Sequence, residues 1–218
     1  SSSSAASDVY KRQDLPTDLP ADIVPLSWLL GVWEGTGVID YEADGTRFEG
    51  EFAHRVSFSH DGGDYVNYTA SAWLIGEDDT RTPLVAETGY WRLARPAGTD
   101  DPGPALLPAV TARESARTVD DVEALRTEEG GFDLEVAIVH SDGICELYLG
   151  QARGPRIDLA TDAIVRPAGA KPYASASRMY GYVDGHLLWA WDIAALGSPL
   201  SAHASARLCL LYTSDAAD

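Results

Sequence analysis

From Gly35 onward, apolar and polar residues alternate in short runs, the period-two pattern of strands with one buried face. EFAHRVSFSHDGGDYVNYTASAWLIGED holds two such runs around HDGGD, a Gly/Asp hairpin signal. LVAETGYWRLAR reads as the next strand. FDLEVAIVHSDGICELYLGQA gives two more, turning at SDG, and IDLATDAIVR another. SRMYGYVDGHLLWAWDIAA is a hairpin around VDG, and SPLSAHASARL closes the series. Strands spaced this regularly and joined by Gly/Asp turns predict an all-β antiparallel barrel or sandwich. Ahead of them, DLPTDLPADIVP is a Pro- and Asp-rich leader, and PLSWLLGVW suits one helical turn plugging a barrel end.

One segment breaks the rhythm. Pro96 to Gly131 is far longer than an ordinary hairpin loop. Its first half is rich in Pro, Gly and Ala; TVDDVEALRTEEGG predicts a short acidic helix stopped by the glycines. The segment is expected to be a solvated insertion rather than a lid.

The two ends narrow what counts as native sequence. CLLYTSDAAD can be back-translated so that the complementary strand encodes SAASDVYKR followed by His or Gln, and the chain opens SSSSAASDVYKRQ. Both ends resemble one transposon-type sequencing adapter. Ser1–Gln13 and Cys209–Asp218 are therefore read as adapter-derived and set apart. Residues 14–208 are read as one domain, ample for a sizeable core.

A formal charge of −18 opposes nucleic acid and anionic membrane as partners, since both would be repelled. With Cys209 set apart, Cys145 stands alone and has no internal disulfide partner, so a reducing cytoplasm is expected. No apolar run approaches the length of a membrane span, and no signal peptide is visible.

Candidate chemistry is sparse. There is no P-loop, GxSxG, HExxH or paired-cysteine zinc pattern. GVWEGTG (Gly31 to Gly37) is a GxWxGxG pattern, a Trp anchor among residues that let backbone pack closely. Of the five histidines, His60, His140 and His186 stand beside turn signals and read as exposed or turn-edge residues. His54 alternates within a strand and could face either side. None has a partner at metal-ligand spacing. His203 opens the closing strand after a Pro-containing turn; one imidazole suffices as a proximal haem ligand but not for zinc, and on spacing alone His203 reads as an ordinary polar residue. Alternation leaves its direction open: Ala202, Ala204, Ala206 and Leu208 make one face, His203, Ser205 and Arg207 the other.

PLSWLLGVWEGTG, VSFSHDG, ETGYWRLARP, PYASASRMYGYVDG and PLSAHASARL, in this order, resemble the nitrobindin family from about Pro25 to Leu208. That family is also described as fatty-acid-binding-protein-like, and occurs as the C-terminal domain of a human THAP-domain protein. The resemblance implies an antiparallel β-barrel of about ten strands, of the fatty-acid-binding-protein or lipocalin (calycin-like) type. It implies haem b in a cleft at the barrel mouth and isomerisation of peroxynitrite to nitrate, with nitric oxide as a further small ligand. Gly31, Trp33, Gly35 and Gly37 match the family's GxWxGxG motif and would lie at the cofactor; His203 matches the axial iron ligand. Where family members often carry a lysine before Y-G-Y, this chain has Ser177, with Lys171 and Arg178 nearby, so a haem-edge contact would be lost or differently supplied. A barrel also admits a non-enzymatic carrier of a small apolar molecule, or a haem-based nitric oxide or redox sensor.

Overall fold

Ten long strands follow one another around a closed antiparallel barrel in a computed structural model that describes residues 19–211. They are β1 (Gly31–Ala43), β2 (Thr46–Ser59), β3 (Val66–Ile75), β5 (Glu87–Leu93), β6 (Phe132–His140), β7 (Cys145–Arg153), β8 (Arg156–Val165), β9 (Tyr173–Val183), β10 (His186–Ala195) and β11 (Ser201–Leu210). A three-residue strand, β4 (Arg81–Pro83), extends the far end of β3; no sequence signal predicted it. Each long strand pairs with its successor, and β11 closes the ring on β1. Closure removes the exposed edges that an open sheet would present. Hairpin chemistry explains the order: Asp44–Gly45 and Asp184–Gly185 both hold positive φ at two successive residues, as tight two-residue hairpins require.

The ends of the barrel differ. At one end the apolar leader forms a 3₁₀ helix, Ala21–Leu29, whose Ile23, Leu26 and Leu29 are fully buried. Leu29 turns its carbonyl to the Trp33 indole N–H at 2.7 Å, fixing the plug to β1. The plug expected from PLSWLLGVW is present, as a longer 3₁₀ segment.

The long β5–β6 connection caps this same end. Its predicted helix is a single turn, Val119–Glu123, opened by a Thr118–Asp121 capping box. Much of the connection is exposed, as expected. Its anchoring was not expected: Val122 is buried against the 3₁₀ plug, and Arg117 pairs with the buried Asp22 at 2.9 Å. Arg95, Asp64 and Asp101 complete an ionic clasp, with Arg95–Asp101 at 2.6 Å.

The last strand runs two residues past Leu208. Cys209 pairs with Glu34 and Leu210 with Trp33, and the Leu210 side chain packs at Gly31. Residues read as adapter-derived thus complete β11; Ser1–Gln13 and the final seven residues lie outside the described part.

Candidate functional site

At the opposite end the barrel encloses a cavity of about 300 Å³. Phe52, Ala70, Ala72, Trp189 and Trp191 give it a largely apolar wall, and half-exposed Leu84 and Val85 stand at its rim. His203 lines this cavity, and the reason is a local break in register. On β10 and β11, Trp191 pairs with Ala204 but Asp192 with Ala202, so His203 is the extra residue of a β-bulge. A bulge bends the strand and re-aims the side chain. His203 has the parity opposite to the inward Ala206 and Leu208, yet faces the cavity. Its ring stands edge-on to Tyr41 and Trp191, with centroids 5.4 and 5.6 Å away.

Burial alone lowers the His203 pKa to about 4, so the imidazole is neutral near neutral pH. Its Nδ1 is buried without a hydrogen-bond partner. An unpartnered buried nitrogen normally costs about 1–3 kcal/mol. A neutral nitrogen base at a cavity, free of competing protein contacts, is what a haem iron ligand requires. The donor set fits haem.

His54 lies on the same cavity wall, on β2. Its Nδ1–H donates to the Ser71 carbonyl at 3.1 Å, which leaves the lone pair on Nε2, and its ring stacks on Trp189 at 4.9 Å. Burial takes this imidazole down to about 4 as well.

Beneath these residues lies a buried ionic cluster. The Arg178 side chain has no exposed surface; it clasps Glu87 through two bonds of 2.7 and 2.8 Å and reaches Glu146 at 3.3 Å. Its guanidinium also lies over the Trp191 ring, 4.2 Å from the centroid. Glu146 accepts from Tyr173 at 2.7 Å, from Tyr148 and from His140 Nε2. Tyr68 donates to Glu87 at 2.7 Å. Burial raises the Glu87 pKa, but the charge and hydrogen bonds of Arg178 overcome this and hold it at about 2. Burial likewise opposes ionisation of Glu146, and His140 and Arg178 reverse the sign. Both carboxylates are therefore ionised.

Glu87, His140 and Glu146 present ligand atoms within 4.8 Å of one another, the spacing of a metal site. The carboxylate oxygens are already committed, however. Those of Glu87 accept from Arg178 and Tyr68, those of Glu146 from His140, Arg178 and the two tyrosines. A guanidinium supplies the positive charge a metal would bring, and would repel one.

Of the residues that the resemblance assigns to the cofactor, only His203 lines the cavity. Trp33 is fully buried beside the plug. Gly35 and Gly37 serve the β1–β11 seam, where a Cβ would stand 2.2 Å from the Arg207 and Ser205 carbonyl oxygens. Gly31 sits against Leu210 with φ of +130°. Ser177 has outward parity on β9 and lines a surface groove with Asp158 and Met179. The family lysine position is thus outside, while its neighbour Arg178 turns inward.

His140 does stand at a turn edge, its carbonyl accepting from the Gly143 N–H at 2.9 Å, but it is buried rather than exposed: it is 7% exposed and part of the cavity wall. It is the last inward position of β6, after Phe132, Leu134, Val136 and Ile138. Glu87 and Glu146 were passed over too, and Arg178 was noted only as a neighbour of Ser177, although each occupies an inward position of its strand. Parity was the signal that could have found all four. His60 and His186 do stand at turns, His60 accepting from Gly62 N–H at 3.2 Å.

Comparison with known proteins bears on the same barrel. The family described as "THAP4-like, heme-binding beta-barrel domain" matches residues 22–209. A protein named peroxynitrite isomerase from Leifsonia xyli subsp. xyli is 60% identical over 195 residues, covering 89% of this chain and 97% of that protein. One of the same name from Clavibacter michiganensis subsp. michiganensis is 57% identical over 195 residues, with the same coverage of each. The crystal structure of Rv2717c from M. tuberculosis superposes with a TM-score of 0.62 at 24% identity, covering 91% of this chain and 100% of that one. That likeness concerns the fold alone; the family match and the two bacterial relatives concern the lineage. The chain belongs to the THAP4-like haem-binding β-barrel family.

Proposed function

We propose that this chain is a haem-b peroxynitrite isomerase in which His203 is the axial iron ligand. The single observation that carries the assignment is the neutral, unpartnered His203 imidazole turned by a bulge into an apolar cavity. The names of the close bacterial relatives supply the reaction. When bound, haem supplies ferric iron, at which peroxynitrite can rearrange to nitrate without an external reductant.

The protein's part is to hold, orient and dry the site. The edges of Tyr41 and Trp191 fix the plane of the His203 ring. The Tyr41 hydroxyl is itself tied down, donating to the Ala195 carbonyl at 3.0 Å and accepting from the Ala195 N–H at 3.1 Å. Phe52 and Trp189 exclude water from the inner wall. Nitric oxide, small and neutral, is a further ligand this pocket suits.

The apolar-carrier reading is weaker on one observation. An alkyl chain would leave the buried His203 Nδ1 without a partner. Titrating ferric haem into the full chain should develop a stoichiometric Soret band. Rapid mixing with peroxynitrite should then give accelerated decay with nitrate as product. His203→Ala should lose the band, and added imidazole should restore it in part. Unaltered haem binding by His203→Ala would refute the axial assignment; haem uptake without accelerated decay would refute the activity.

A further inference from the structure

We propose that His140 is the anion-recognising residue of this site, presenting its Nδ1–H to the oxyanion that enters the cavity. The inference rests on the haem reading above and adds to it the group that discriminates an anionic substrate from a neutral one.

The geometry leaves His140 one nitrogen for a ligand. Its Nε2 is engaged by Glu146. Its Nδ1 stands 3.7 Å from Glu87 Oε1, beyond hydrogen-bond reach, on a side chain that lines the cavity. The ring is held flat by Trp191, 6.0 Å away at 27°, and Trp191 in turn abuts His203. One indole therefore separates the donor from the imidazole that faces the iron position.

Charge balance makes this nitrogen a donor. The groups facing His140 are Glu87 on β5, Glu146 and Tyr148 on β7, and Tyr173 and Arg178 on β9. Asp142 in the adjoining turn and His54 on β2 share the cavity. Two carboxylates against one guanidinium leave a buried unit of negative charge, and an imidazolium cancels it. An uncompensated charge there would be expensive in a low-dielectric interior. Burial works against the extra proton, but the Glu146 hydrogen bond and the charges of Glu87 and Glu146 outweigh it and raise the His140 pKa. With both ring nitrogens protonated, one N–H serves Glu146 and the other serves the ligand. Once His140 loses its proton, Nδ1 no longer donates and the cluster carries net negative charge toward an incoming anion. The hydrogen bond is offered and returned unchanged, since isomerisation to nitrate needs no net proton.

The test compares an anion with a neutral ligand at the same iron. Ferric haem-loaded protein is titrated with nitrite and with nitric oxide, each followed by its Soret shift, from about pH 5.5 to about pH 9, the range in which an imidazole titrates. Competition from hydroxide weighs on both ligands alike and cancels in the ratio of affinities. In the unaltered protein that ratio should fall as pH rises through the His140 titration. His140→Gln should weaken nitrite about tenfold, the usual worth of a charge-assisted hydrogen bond, leave nitric oxide within about twofold, and flatten the pH dependence. Glu146→Gln should move the fall to lower pH.

Equal weakening of both ligands by His140→Gln would assign it a merely structural role and overturn the proposal, as would unchanged nitrite affinity. If that variant does not fold, the unaltered protein decides, because a flat ratio across the range overturns the proposal. Failure to take up haem is separately visible as a missing Soret band and would sink the parent reading with it.

Discussion

Two arginines, one at each end of the barrel, are each flanked by carboxylates, and their surroundings differ. Arg95, at the plugged end, meets Asp64 and Asp101 at 2.9 and 2.6 Å where the chain emerges into solvent, and Asp64 is 37% exposed. Arg178, on the inward face of β9, meets Glu87 and Glu146 with no exposed surface. The first clasp joins a long connection to the barrel wall. The second orders a cavity wall, in a place where aliphatic side chains would pack at lower electrostatic expense. Inward positions near the plug are filled by Ile23, Leu26, Leu29, Trp33 and Trp91; near the mouth the same parity delivers Glu87, His140, Glu146 and Arg178. A barrel that needed only to fold would have treated both ends alike. The plug buries one acid, Asp22, whereas four ionisable side chains gather at the mouth, and that concentration marks the working end.

The sharpest way to break this contrast is Arg178→Met. It strands two buried carboxylates, and urea unfolding should show a loss of about 3–5 kcal/mol. Arg95→Met leaves acids that water can partly reach, so about 1–2 kcal/mol is expected from the same measurement. Equal losses would mean that the two clasps are energetically equivalent and the contrast false.

A smaller effect is expected from replacing Pro96–Gly131 with a short Gly/Asn hairpin turn. The exchange removes buried Val122 and the Arg117–Asp22 pair, so thermal unfolding should move down by several degrees, on the order of 1–2 kcal/mol. Haem uptake should persist, because no residue of this connection lines the cavity. Lost uptake with intact folding would couple the two ends.

pH separates the ends more finely. His54 and His203 have folded-state pKa values of about 4, below the ordinary 6.5. As pH falls below about 6.5 the unfolded chain takes up these protons first, so the haem-free protein should lose stability progressively toward pH 4. His140 has the opposite sign. Its folded pKa is raised, so its contribution is complete below 6.5 and is lost as pH rises through the folded value. Urea midpoints across pH should show the acid-side loss shrinking in His54→Gln. The smallest effect expected is that of His60→Ala, which removes one exposed turn contact and should alter neither stability nor the Soret band measurably.

How much of this was legible beforehand can be judged from particular residues. Alternation and DG turns announced the strands and their order, and GxWxGxG announced close packing at the start of β1. The residues of that motif lie at the plug and the β1–β11 seam, with Gly37 behind Phe52 of the cavity wall and none of them in the lining itself. Parity was sound for β5, β6, β7 and β9, but charged residues on an inward face were not taken as inward. His203 is the reverse case: resemblance named it, while alternation left its direction open and its parity in the finished strand is that of the outward residues.

The sequence by itself therefore determined an all-β antiparallel fold, an apolar helical turn ahead of it and a short acidic helix in the long connection, because those depend on neighbours a few residues apart. Family resemblance narrowed the fold to a barrel and singled out His203. The tertiary structure decided the rest. Whether a buried charge is tolerable depends on its partner, and Arg178 finds Glu87 91 positions away and Glu146 32 away. Where His203 points depends on one unpaired residue between β10 and β11, a register shift fixed by the pairing of whole strands. Local pattern cannot encode either, since both are properties of chain segments that meet only when the barrel closes.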